Sequence, residues 1–429
     1  MRKAPQFAGK TGPGSRVWLA YLAETRGTRV KNKQNQSLNM IRTVAAVLVV
    51  IGHARAYTLV PHAEAQGGPV DAALYAVTGL ANGAVMVFFV LSGFLVGGKA
   101  IKGWVSGEFA WRRYLIDRTV RLWIVLLPAL ALTLVADTAG RTLFPESVKY
   151  GAGGGLAERT SPLTFTGNAL FLQSNLVQPF GSNEALWSLA YEYGYYLLFP
   201  VILVGVLGRR KHVVSRLAFL LLTGFLAVIF GQYVIIFFGM WLLGALAAAA
   251  IPRLLPFVRR MSSGTLSTAR ATAVLAAVAG LAWDSILNGS PRHLTVGGVV
   301  TGVFTALLLV LLTDDWEPRS RALLWTRNRV SGYGNVSYSL YAAHLPFLLL
   351  LTIAISPSRS VGSFEPDLLG WTLVLTLTMG LIAVGWAFGQ LTEVHNDRIR
   401  AVAYRLCRVK AIQPARETDG PDIPARSGL

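Results

Sequence analysis

The chain is poor in thiol, in imidazole and in charge. One cysteine, Cys407, and six histidines occur in 429 residues, and charged side chains make up only 14%. A single thiol excludes an intramolecular disulfide and a Cys-rich metal cluster, and no metal is expected. Acid is scarcer than base, 21 residues against 40, for a net charge of +19. With 53% hydrophobic residues and a mean hydropathy of +0.49, the balance excludes an ordinary soluble domain. No internal repeat is evident, which weakens a transporter built from inverted repeats.

What the chain has in quantity is long apolar runs. About ten are near the length needed to cross a bilayer, starting near residues 39, 78, 119, 186, 214, 233, 269, 295, 336 and 368. The runs at 214 and 233 nearly abut, so they are either one hairpin or one misjudged segment. If the N-terminus is cytoplasmic, inward segments collect 34 of the 40 Lys and Arg residues, as the positive-inside rule requires. The expected fold is therefore an all-α integral membrane protein, a bundle of about ten transmembrane helices with N- and C-termini cytoplasmic. Topology and anionic membrane lipid account for the basic excess, and no nucleic acid partner is needed. Residues 1–37 read as a basic cytoplasmic segment unlike a signal peptide, with an interfacial helix or disorder at 16–24. Residues 38–395 read as the membrane domain, with a long outward loop at 138–185 that could cover an outward site. Residues 396–429 read as a cytoplasmic tail that opens amphipathic.

Polar side chains inside these runs are few, and each has a plain structural use as well as a chemical one. Arg42 and His53 lie in LNMIRTVAAVLVVIGHARAY, eleven residues apart. That spacing is about 20° past three helical turns, which puts both on one face about 16 Å apart along the axis. Arg42 alone would be an interfacial anchor, and His53 alone a buried histidine bonded to a neighbouring helix. Arg118 and Arg121 share a face as ordinary inward positive charges, or join Arg42 in a phosphate-binding cluster. Glu192, among Tyr191, Tyr193, Tyr195 and Tyr196, holds helices together or is functional, as intramembrane acids tend to be. Its expected depth is similar to that of His53. His344, nearer mid-membrane, packs and bonds its helix or joins the site; Ser92, beside Gly93, suits a close helix contact.

These segments, taken in order, resemble the membrane-bound acyltransferase 3 family of integral membrane O-acyltransferases. The carrying motifs are Arg42 and His53 with ten residues between them, FFVLSGF at 88–94, Arg-x-x-Arg at 118–121, SL-x-x-E…YLLFP at 188–200, and SYSLY…H-x-P at 337–346, which includes Tyr338 and His344. Where many members close with Glu-x-Pro, this chain has Glu393, Val394 and His395. The resemblance implies a ten-span bundle, acyl-CoA (usually acetyl-CoA) as donor, and an essential His53 and Arg42. Ser92, Tyr338 and His344 are then accessory candidates.

The expected chemistry is transfer of an acyl group to a hydroxyl of a carbohydrate such as an exopolysaccharide, O-antigen or other surface glycan. Arg42, Arg118 and Arg121 would hold the CoA phosphates at the cytoplasmic face. His53 would serve as base or as transient acyl carrier, since the one thiol, Cys407, falls in the expected cytoplasmic tail and is poorly placed to relay an acyl group within the membrane. Glu192 would orient His53, as the third member of a triad does. The expected place is the bacterial inner membrane, with glycan-biosynthesis proteins as partners for any further transfer. Open alternatives are a macrolide-type acceptor, a transporter or flippase of a lipid-linked sugar, and a non-catalytic scaffold.

Overall fold

The computed structural model describes residues 28–151, 155–173, 175–207, 213–287, 294–313, 320–334, 336–358 and 360–409. The segment at 16–24 and the tail past 409 lie outside these residues. The described chain is helical; its only bridges are isolated, Leu59 with Phe364 and Gln173 with Val177. Between their end turns, helices satisfy their backbone groups internally, which apolar surroundings demand.

In chain order the helices are α1 (Thr28–Thr58), α2 (Pro69–Thr78), α3 (Ala81–Ser92), α4 (Gly98–Val105), α5 (Trp111–Leu143), α6 (Pro162–Ala169), α7 (Trp187–Leu207) and α8 (Val213–Phe230). There follow α9 (Gln232–Arg260), α10 (Ser263–Leu287), α11 (Val296–Leu311), α12 (Arg321–Tyr333), α13 (Ser337–Ile355), α14 (Leu368–Leu391) and α15 (Asn396–Leu406). Seven helical stretches are long and apolar enough to span a membrane: Asn35–Thr58, Pro69–Val105, Trp111–Leu143, Val234–Arg260, Ser263–Ser285, Ser337–Ile355 and Leu368–Leu406. The sequence reading counts about ten. The difference falls on α7, whose first half carries Glu192 and four tyrosines, and on the shorter apolar stretches Leu217–Phe230 and Val296–Leu311. The runs near 214 and 233 are two helices, α8 and α9, meeting at Gly231. Its φ of +83° is one that glycine adopts without the clash of a Cβ.

Helix α1 is central and packs on α3, α12, α13 and α14. Helix α9 packs on α3 and on the π-helical turn Gly93–Gly97 that follows it, burying Trp241 completely among Phe199, Phe238 and Tyr195. Helix α15 lies against α5, where Tyr404 donates a hydrogen bond to Asp117 and Arg400 lies 3.7 Å from the same carboxylate.

The segment read as an outward loop is largely a packed cap. Helix α5 runs on to Leu143, and α6 and two short 3-10 turns fill much of the rest. Asp137 accepts from the Ser182 backbone N–H at 2.8 Å and from its hydroxyl at 2.6 Å. Phe180, Asn183 and Leu186 are buried, so the end of the cap plunges into the bundle. There Asn183 donates to Thr133 and to the Ala342 carbonyl, and the Tyr341 hydroxyl donates to the Ala185 carbonyl at 2.8 Å. Irregular backbone is tolerated at such a depth when protein groups satisfy it.

Candidate active site

Arg42 and His53 both lie on unbroken α1, so the helical rise sets them about 16 Å apart along its axis. At the upper station, His53 meets His344 of α13. Their rings stack with centroids 5.0 Å apart, and His344 Nε2 lies 2.9 Å from His53 Nδ1. His344 Nδ1 is 2.7 Å from the Tyr341 carbonyl oxygen. A carbonyl only accepts, so Nδ1 of His344 carries its proton. In the neutral ring Nε2 is then an acceptor, and His53 Nδ1–H must donate to it. The chain of bonds leaves the lone pair on Nε2 of His53, the tautomer required of a base. This arrangement joins two residues that the sequence reading treats apart.

The lower station opens on a cavity of about 320 Å³. Arg42, Ser92, Arg118, Arg121, Glu192 and Tyr338 all border it, and its far wall reaches Ser188 and Tyr341. His53 itself does not line it. The link is the Tyr341 ring, 5.8 Å from that of His344. Five cations, Arg42, Lys99, Arg118, Arg121 and Arg400, face two carboxylates, Asp117 and Glu192, around the cavity. Such an excess favours an anion with several charges.

The three arginines are not equivalent. Arg121 is paired with Glu393 at 3.0 Å, and the other oxygen of that buried carboxylate accepts the Ser339 N–H at 3.0 Å. Arg121 therefore ties α5 to the first turn of α13. Arg118 lies over the Tyr196 ring at 6.0 Å, with its Nε buried and without a partner. Among the described residues Arg42 and Arg118 form no ion pair, which leaves both guanidinium groups for a ligand.

Glu192 is where expectation and structure differ. One of its oxygens accepts from Ser92 at 2.6 Å and from Tyr196; Trp241 in turn donates to Ser92. Glu192 borders the cavity together with Arg42, and His53 does not line that cavity. The cause is the plunging cap. Because Asn183 bonds Ala342, helix α7 starts near the level of His344, and Glu192 lies over one turn further toward Arg42. Tyr338 borders the cavity, with its hydroxyl 3.4 Å from the Leu122 carbonyl. Among the described residues no group of three or more His, Cys, Asp and Glu is placed to hold a metal.

The family model described as an acyltransferase domain, acyltransferase 3, matches residues 35–389. The chain belongs to the acyltransferase 3 family. No curated protein and no solved structure matches it. The matched region contains Arg42, His53, Ser92, Arg118, Arg121, Glu192, Tyr338 and His344, and stops just before Glu393. The protein is thus a transferase with several membrane-crossing helices, and the two stations of α1 are parts of an acyltransferase. Two contributors went unread in its sequence, Asn183 and the Arg121 pairing of Glu393. The SYSLYAAH segment did hold one signal: Tyr341 is three residues before His344, the spacing at which a helix brings a carbonyl within reach of a side chain.

Proposed function

We propose that the acyltransferase moves an acyl group, most simply acetyl, from acyl-CoA to a carbohydrate hydroxyl, with His53 as general base. The carrying observation is the run of bonds from the Tyr341 carbonyl through His344 to His53. It fixes the ring and leaves its Nε2 free. Arg42 and Arg118 suit the CoA phosphates, and the pantetheine arm follows the cavity toward Tyr341. His53 Nε2 takes the acceptor hydroxyl proton as the oxygen attacks the thioester carbonyl. The tetrahedral intermediate then expels CoA thiolate, which takes that proton from the imidazolium. The cationic ring is stabilised meanwhile by its bond to His344. Glu192 keeps a place in the site as a wall of the donor channel, one of its oxygens making no hydrogen bond among the described residues.

The cavity and the cap approach the histidine pair from opposite ends. This supports a donor from the basic, cytoplasmic end and an acceptor from the capped end of a protein in the bacterial inner membrane. A surface glycan, made with partner enzymes, suits that geometry. The test is NMR of surface glycans and secreted metabolites from a deletion strain. Loss of O-acyl signals from a glycan is the expected result. Loss from a macrolide alone moves the acceptor class, and no loss anywhere overturns the reading.

A further inference from the structure

The donor cavity does not stop at Arg118. A second hollow of about 610 Å³ adjoins it and shares Val96, Lys99, Asp117 and Arg118 with it. Its walls are the turn before α5 and the first two turns of α5, closed on the other sides by α4 with the π-helical turn before it and by the residues just after α15. Phe109, Trp111 and Tyr114 supply flat apolar surface there, with Arg112, Arg113 and Arg408 beside them. The aromatic wall is already assembled. Phe109 meets Trp111 edge-on at 5.5 Å and Tyr114 at 5.4 Å.

Two kinds of group there lack a partner. The Tyr114 hydroxyl and Arg118 Nε are buried without a hydrogen bond. The N-cap of α5, Ala110, offers no side-chain cap, so N–H groups of the first turn point outward uncapped, where a helix favours an anion. The two carboxylates of the hollow are engaged: Asp117 by Tyr404 and Arg400, and Glu108 by Ser106. Arg112 is exposed, and Arg113 rests over the Tyr404 ring at 5.5 Å. Six residues of α5 separate Arg112 from Arg118, a rise of about 9 Å, so an extended ligand can touch both.

We propose that this hollow is the subsite for the adenosine 3′-phosphate end of the donor, resting on the acyl-CoA reading above. The base lies against Phe109, Trp111 and Tyr114, because an aromatic wall holds any heterocycle by its face. The 3′-phosphate takes Arg112, Arg113 and the open first turn of α5. The diphosphate then falls at Arg118 and Arg42, and the pantetheine arm enters the first cavity. A lipid headgroup would use the same cations but has no need of the aromatic wall or of a passage to the donor cavity.

Binding of CoA and of dephospho-CoA, which lacks only the 3′-phosphate, is measured with the purified full chain in detergent. Charge-assisted bonds to a phosphate predict that CoA binds about tenfold or more tightly than dephospho-CoA. The double variant R112A/R113A removes that preference and leaves dephospho-CoA affinity unchanged, which also shows the variant folded. Equal affinity of the wild-type protein for the two ligands overturns the subsite while the donor reading stands, and this comparison needs no variant. Absence of CoA binding overturns both. If R112A/R113A alters only binding to nanodiscs of anionic lipid, the cations serve the membrane surface and the subsite is overturned.

Discussion

In the proposed mechanism His53 and His344 divide the work of one base between two helices. His344 is buried and anchored by the Tyr341 carbonyl; His53 is half-buried and presents the free nitrogen. H344A keeps the base but releases its ring. The expected effect is a fall in kcat smaller than the roughly 10²–10⁴-fold that a general base contributes, with KM for acyl-CoA unchanged. R42A is expected to do the reverse, raising KM for acyl-CoA and leaving the His53 bond network intact. Steady-state kinetics at varied acyl-CoA separates the two. A rise in donor KM for H344A with kcat intact would place that histidine in donor binding instead.

Helices meet closely around this pair, and the contacts set how far each element can be disturbed. Gly52 adjoins His53 where α1 crosses the start of α3, and a Cβ there would lie 2.2 Å from the Ala81 Cβ and 2.8 Å from the Thr78 carbonyl. Overpacking of this kind costs about 1–3 kcal/mol, so G52A is expected to lower the thermal midpoint in detergent and shift His53 off His344. E393A strands Arg121 and frees the Ser339 N–H. With Arg121 one-third exposed, the cost is expected below the ~3–5 kcal/mol of breaking a fully buried pair, again read by thermal unfolding. An unchanged midpoint would mean that water replaces Glu393 as partner. Periodicity alone puts Arg42 and His53 on one face, and motif order alone points to the family. Neither pairs His344, an accessory candidate by its motif, with His53, which it reaches from 291 residues away. Glu192 is misplaced by the same reasoning, since counting turns from a span start ignores that the cap drags the start of α7 inward.

Across the whole molecule, the proposed mechanism puts two approaches on one histidine pair, the donor from the basic cavity and the acceptor from the cap. Acceptor acylation in sealed vesicles of known orientation is expected to need acyl-CoA at the basic end and acceptor at the capped end. Transfer that requires both substrates on the basic side would contradict that division and suit a soluble or lipid-linked precursor. The most direct test of the central claim is turnover of acetyl-CoA by the purified acyltransferase, wild type against H53A at matched folding. The expected result is measurable transfer or slow hydrolysis by the wild type, and a loss of about 10²–10⁴-fold in H53A with CoA binding retained. Wild-type rates in H53A would contradict it.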